Sequence, residues 1–345
     1  MKFVMTTNKN VSQFKWCSIA LLTLGMCSGA FASSSSDPQC SSENFAEFVK
    51  AFSAQPEIQK AFVTSPVQEL RVVADGDEAK VVERDLKALD ADELSVLAPE
   101  NAAKSNLTIQ VDLPNKVIVR DQVGAFLKIF IFKHGDCWAL SRIEDWSLEK
   151  AIDAVAGTEK LSPGDKEFKK GAMFDRLVNQ ASPESSVYLY TSELNSYLAG
   201  ARQGSAQAAF AAAGISLSGQ APRLDNAKIL DLLITASKSI PEAGLTLADF
   251  YCDEGEYDDK HVCINPQQSI AALEDAARQG SNDALTRLGE VYETGTILPT
   301  DLPRAMACYQ EAQKNGLESR GLVRLASQGV VAGNSIQCLK AGSSR

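Results

Sequence analysis

Two adjoining stretches set the architecture: ALTRLGEVYETG (284–295) and, after a short break, DLPRAMACYQEAQKNG (301–316). In the first, Ala284, Leu288, Gly289 and Tyr292 fall on one helical face before a closing Gly295. In the second, Ala305, Tyr309 and Ala312 do the same before Gly316. Spacing of this kind predicts a helix A, a glycine-bearing loop and a helix B. Neither helix can bury its apolar face alone, so the pair must stack on further pairs.

Those further pairs are present upstream. AGLTLADFYCDEG (243–255) and PQQSIAALEDAARQG (266–280) make a second copy. SAQAAFAAAG (205–214), Gly219 and DNAKILDLLITASKS (225–239) make a third. Ala208, Ala243 and Ala284 are equivalent, at steps of 35 and 41 residues; the longer step absorbs the loop Glu254–Cys263. A degenerate copy follows Gly316. Another precedes residue 204, where Ala201-Arg202-Gln203-Gly204 mirrors Ala277-Arg278-Gln279-Gly280. Ala213, Ala248 and Gly289 are the matching small residues at which helices should approach closely. Tyr251 and Tyr292 should fill the space between units. Gly280 and Gly316 should act as C-caps, and Pro266 and Pro303 should sit at helix starts.

The motifs A-x-x-x-L-G-x-x-Y-x-x-G and D-x-x-x-A-x-x-x-Y-x-x-A-x-x-x-G at 284–316 resemble the Sel-one-like repeat, a tetratricopeptide-related helical pair. The copy at 243–280 has Ala248 at the glycine place, and the copy at 205–239 has Ser216 at the tyrosine place. The resemblance spans roughly 200–330. It implies a superhelical scaffold for protein–protein contact.

Residues 43–150 read differently. Phe45, Phe48, Val49 and Phe52 form one helical face, and strand patterns follow. Leu107, Ile109, Val111 and Leu113 alternate with polar residues. AFLKIFIFK (125–133) and CWALSRI (137–143) flank the turn His134-Gly135-Asp136 as a hairpin. The fold class expected is therefore an α+β domain, a helix on a curved antiparallel sheet, followed by an all-α helical-repeat superhelix. The opening Phe-rich helix and the closing GDCWALSRIEDWSL resemble the cone-shaped domains like nuclear transport factor two. That likeness implies a hollow able to take a small ligand. Trp138 and Trp146 are expected in its core or rim.

At the N-terminus Lys2, Lys9 and Lys15 precede an apolar run from Trp16 to Phe31, and Ala30-Phe31-Ala32 has the A-x-A form. The run is shorter than the ~20 residues of a membrane span. Expected boundaries are a signal peptide at 1–32, a connection at 33–42, the α+β domain at 43–150, a linker at 151–164, repeats at 165–335 and a tail at 336–345. The mature protein is expected to be soluble and periplasmic. Cys17 and Cys27 lie in the leader. Cys40, Cys137, Cys252, Cys263, Cys308 and Cys338 remain, and an even set in an oxidising compartment reads as disulfides. Many pairings are open on sequence alone. Proximity favours Cys40–Cys137, Cys252–Cys263 and Cys308–Cys338, and disulfides within repeats occur in exported members of the resembled family.

Chemistry is sparse. The net charge is −10, with 44 acidic against 34 basic residues, which argues against nucleic acid as a partner. Only two histidines occur, His134 and His261, both expected to be exposed. No hydrolase elbow, zinc motif, phosphate loop or dinucleotide fingerprint is present. His261 with Cys263 would make a nucleophile pair only if Cys263 kept its thiol. The carboxylates of 253–259 do not have EF-hand spacing, and they read as solvated acids or a contact patch for a basic partner. No metal or cofactor is expected. The reading is a non-enzymatic exported interaction protein with a protein partner. The family likeness also admits immunity against a periplasmic effector. Small-ligand binding by the α+β domain and a cell-wall or antibiotic-directed hydrolase are the alternatives.

Overall fold

The computed structural model describes residues 39–155, 157–256, 262–333 and 335–339. The expected leader, most of the 33–42 connection, His261 and residues 340–345 lie outside the described residues.

Helices α1 (Phe45–Ala54) and α2 (Pro56–Ala61) come first. Asn44 caps α1 by accepting the Glu47 N–H at 3.2 Å. Phe45, Phe48, Val49 and Phe52 are all buried, as their spacing requires. Strands β1 (Val63–Asp75) and β2 (Glu78–Leu86) form a hairpin that turns at Gly76, φ +66°. Short helices α3 (Ala91–Ser95) and α4 (Pro99–Lys104) lead to the opposite sheet edge. There the meander β3 (Thr108–Asp112), β4 (Lys116–Arg120), β5 (Leu127–His134) and β6 (Trp138–Asp145) begins. The strand order is β2-β1-β6-β5-β4-β3. The sheet is mixed rather than wholly antiparallel, because β6 returns beside β1 and runs parallel to it.

Alternation along the strands sends side chains to two covered faces. Val117, Val119, Phe130, Phe132, Leu140 and Ile143 meet α1, α2 and α3. Leu70, Ile118, Leu127, Ile129 and Trp146 meet three further helices: α5 (Glu149–Ala154), α6 (Pro163–Val178) and the start of α7 (Pro183–Arg202). The domain is thus three layers deep, where one helix on a sheet was expected. The expected linker 151–164 also needs correction. Ala151, Ile152 and Val155 are buried in the sheet core, and a 3-10 turn spans Thr158–Lys160. Those apolar residues stay there because leaving them in water would cost about 1–3 kcal/mol each.

Helix α7 belongs to two cores. Leu189 packs with the sheet, whereas Leu194 and Tyr197 join the helices that follow. These are α8 (Ala206–Ser218), α9 (Asn226–Ser237), α10 (Pro241–Asp253), α11 (Pro266–Arg278), α12 (Asn282–Thr294), α13 (Leu302–Lys314) and α14 (Arg320–Ser327). One apolar cluster runs through all of them. No helix among the described residues is long and apolar enough to cross a membrane.

Candidate interaction surfaces

The repeat is held together by glycine. At the end of α11, Gly280 has φ +98°; its N–H bonds the Ala277 carbonyl while Ser281 N–H reaches back to Ala276. Gly316, φ +91°, does the same with Gln313, while Leu317 bonds Ala312. Gly204 and Gly329 repeat this arrangement. These are Schellman closures, which need a left-handed residue that glycine adopts without a β-carbon penalty. They fix the turns after α7, α11, α13 and α14, whereas α9 passes to α10 through Lys238 and Ser239 without a glycine.

Within the stack, Ala213 and Ala248 are buried, Leu288 is fully buried, and a β-carbon on Gly289 would collide with the Tyr309 ring. Tyr292 is buried and carries the Arg304 guanidinium over its ring at 4.5 Å. Tyr251 is half-buried, at the wall of a cleft shared by α9, α10 and α11. In the copy lacking that tyrosine, the Ser216 hydroxyl accepts the Leu224 N–H at 2.8 Å, so a polar closure replaces an aromatic one. Arg304 is a residue that motif reading missed. It donates to the Cys338 carbonyl at 2.8 and 3.0 Å, tying the last described segment to α13.

Three disulfides are formed: Cys40–Cys137, Cys252–Cys263 and Cys308–Cys338. They are compatible with an extracytoplasmic protein. With its sulfur in a disulfide, Cys263 has no thiol to offer His261. His134, at the β5–β6 turn, is exposed; its ring bonds Glu43 Oε2 at 2.9 Å and stacks edge-on with Trp138. Among the described residues no group of three His, Cys, Asp or Glu side chains could hold a metal ion. In the acidic loop, Glu254 accepts from Asn226 at 2.6 Å, and Gly255 N–H bonds Asp253 at 2.7 Å; residues 257–261 lie outside the described residues.

Two of the open surfaces among the described residues bear on binding. The first follows the outer sides of the A helices. Near the start of the array, Phe168, Phe210, Ala211 and Ile240 line a cleft of about 480 Å³ with Glu242 at its rim. Further along, Arg287 on α12 reaches back to Asp249 on α10 at 3.2 Å and to Glu290 on its own helix at 3.5 Å. The Asp249 carboxylate is open to solvent; partial burial raises its pKa from the ordinary aspartate value, and Arg287 pulls the other way.

The second surface lies on the α+β part. The space between α1 and the sheet is filled: Phe48, Phe52, Phe130 and Phe132 are fully buried, with ring centroids 5.2–5.9 Å apart for the Phe52–Phe132 and Phe48–Phe132 pairs. Trp146 is buried, and Trp138 is half-buried with its indole N–H on the Glu43 carbonyl at 2.9 Å. Beside α1 a groove of about 580 Å³ is open, lined by Ala46, Val49, Lys50, Ala102, Ile109 and Val111 among others.

No protein-family model matches the chain. No curated protein matches it either. Among solved structures it is similar to a Sel1 repeat protein from Oxalobacter formigenes, with 16% identity and a TM-score of 0.41, over 54% of this chain and 73% of that one.

Proposed function

We propose that this is an exported, non-enzymatic interaction protein of the Sel-one-like repeat kind, which holds a protein partner on the outer face of its A helices. The observation that carries the reading is the Asp249–Arg287 link at 3.2 Å, an exposed charge pair joining two successive A helices. It supports a concave surface continuous from one repeat to the next. The excess of carboxylates there (Glu242, Asp249, Asp283 and Glu290 against Arg287) suits a partner with a basic face. Supporting the family reading are the motifs at 243–280 and 284–316, the Schellman glycines and the disulfides within the array. Neutralisation of a toxic effector is the sharper form of the same reading and rests on the family likeness. Small-ligand binding by the α+β domain finds no support in the space between α1 and the sheet, which phenylalanine fills. The hydrolase alternative has no catalytic motif in the sequence to support it.

The test is crosslinked capture from extracts of the source cell, with the chain and with an Asp249→Lys, Glu290→Lys variant. The expected result is one prey that the variant loses, followed by direct binding of the two purified proteins. Capture that is indifferent to the charge reversal would overturn the assignment of this face.

A further inference from the structure

The two edges of the sheet are built differently. Edge strand β2 carries Lys80, Glu83, Arg84 and Asp85, and its neighbourhood is laced with ion pairs: Arg84 with Glu69, Arg142 with Glu83, and Arg176 with Glu78. Charged edges of this kind discourage further strand pairing. Edge strand β3, Thr-Ile-Gln-Val-Asp, holds no lysine, arginine, proline or bulge, and it pairs with β4 in unbroken register. Among the described residues no backbone group of Thr108–Asp112 is hydrogen-bonded outside that ladder. Half of its N–H and C=O groups therefore face away from the sheet with no protein partner.

Apolar surface gathers at the same place. Val111 is 37% exposed and Leu113, in the β3–β4 turn, 69%. Val187 is 57% exposed and adjoins Tyr188, which bonds Asp112. On the α1 side, Ile109 and Val111 line the 580 Å³ groove together with Ala46, Val49, Ala102 and Ala103. The lining includes one charged residue, Lys50, and no carboxylate, in a chain of net charge −10. Lys50 is paired to Glu47 at 3.3 Å only through an exposed contact on its own helix, an arrangement worth little and easily exchanged.

We propose that the β3 edge and its groove form a second docking site, independent of the repeat face. Its occupant is an extended peptide segment of a partner protein, apolar at alternate residues and ending in a free carboxylate. The segment would add to the sheet beside β3. Backbone hydrogen bonds would supply affinity, and alternate side chains, all on one face of the added strand, would enter the groove. Its carboxylate would take Lys50 from Glu47. A one-residue slip would turn the apolar set away from the groove, so the pattern of the segment also sets its register.

The test uses the purified chain and fluorescent heptapeptides with valine at alternate positions. One ends in a free carboxylate, one is amidated, and one is N-methylated along the edge that must pair. Anisotropy should show binding of the first, weakening of about tenfold on amidation, and loss on N-methylation. Val111→Lys and Ala103→Glu, both on exposed positions, should abolish binding without moving the melting temperature. Lys50→Gln should weaken only the free-carboxylate peptide. Three results would each overturn the proposal. One is no binding of any peptide. Another is binding indifferent to N-methylation, which would make the groove a simple apolar pocket. The third is a dimer of the chain that Val111→Lys dissociates, which would assign the β3 edge to a second copy.

Discussion

Gly289 and Tyr309 are packed backbone to ring: a β-carbon on Gly289 would stand 2.7 Å from Cδ1 of the Tyr309 ring. The ring cannot retreat. Its other side lies against Gly321, and its hydroxyl donates to Glu293 at 2.8 Å. Gly289→Ala should therefore destabilise the chain by about 1–3 kcal/mol, the range for over-packing a filled core. Denaturant melts would check this, and an unchanged midpoint would show that α12 and α13 part more easily than their contact suggests.

Glu193 should make stability depend on pH. Its side chain is buried on α7, where Oε2 has no hydrogen-bond partner. Burial first, then the charge of Asp175, push its pKa up to about 8, with Tyr197 opposing. In the unfolded chain the group titrates near 4.5. The folded state thus holds a proton that the unfolded state has lost between those values. The contribution of this group is full below the lower value, falls by at most about 1.4 kcal/mol per pH unit between them, and is level above the upper one. Glu193→Gln should flatten that slope. Parallel pH profiles for the two proteins would refute the assignment.

The disulfides should rank by the chain they enclose. The sequence separations are 97 for Cys40–Cys137, 30 for Cys308–Cys338 and 11 for Cys252–Cys263. Loop entropy alone gives about 5, 4 and 3 kcal/mol respectively. Paired Cys→Ala variants, melted in denaturant, should lose stability in that order. The reverse order would mean that local packing, not chain restraint, dominates.

The serine closure in the weakest repeat is open to a direct check. Ser216 is buried and is the partner of the Leu224 N–H. Ser216→Ala would leave that donor unsatisfied and should cost about 1–3 kcal/mol. A neutral effect would show that water reaches the Leu224 amide.

Much of this was legible in the residues. The faces of α1, α10, α12 and α13 follow from apolar spacing, and Gly280 and Gly316 sit where a helix must reverse. Both are local properties, written within a few turns of chain. The β1–β2 hairpin also carries a local signal: Asp75-Gly76 between Leu70-Arg71-Val72-Val73 and Ala79-Lys80-Val81-Val82. Residues 151–164 read as a linker because Gly157 to Gly164 carries glycine and proline, while Ile152 and Val155 are too few to show a period.

The sequence by itself determined the helical pairs, the capping glycines, the β5–β6 hairpin and a cysteine set suited to disulfides. Each depends on residues close in the chain, where spacing translates directly into geometry. Only the tertiary structure decided that β6 lies parallel to β1, that α5–α7 cover the second face of the sheet, and that Arg287 reaches Asp249 from the neighbouring repeat. It also decided that β3, and not β4 or β5, is left at an edge. Those outcomes depend on which segments meet after long excursions of chain. A strand pattern carries no mark of its neighbour, and an exposed charge carries none of the helix it will face.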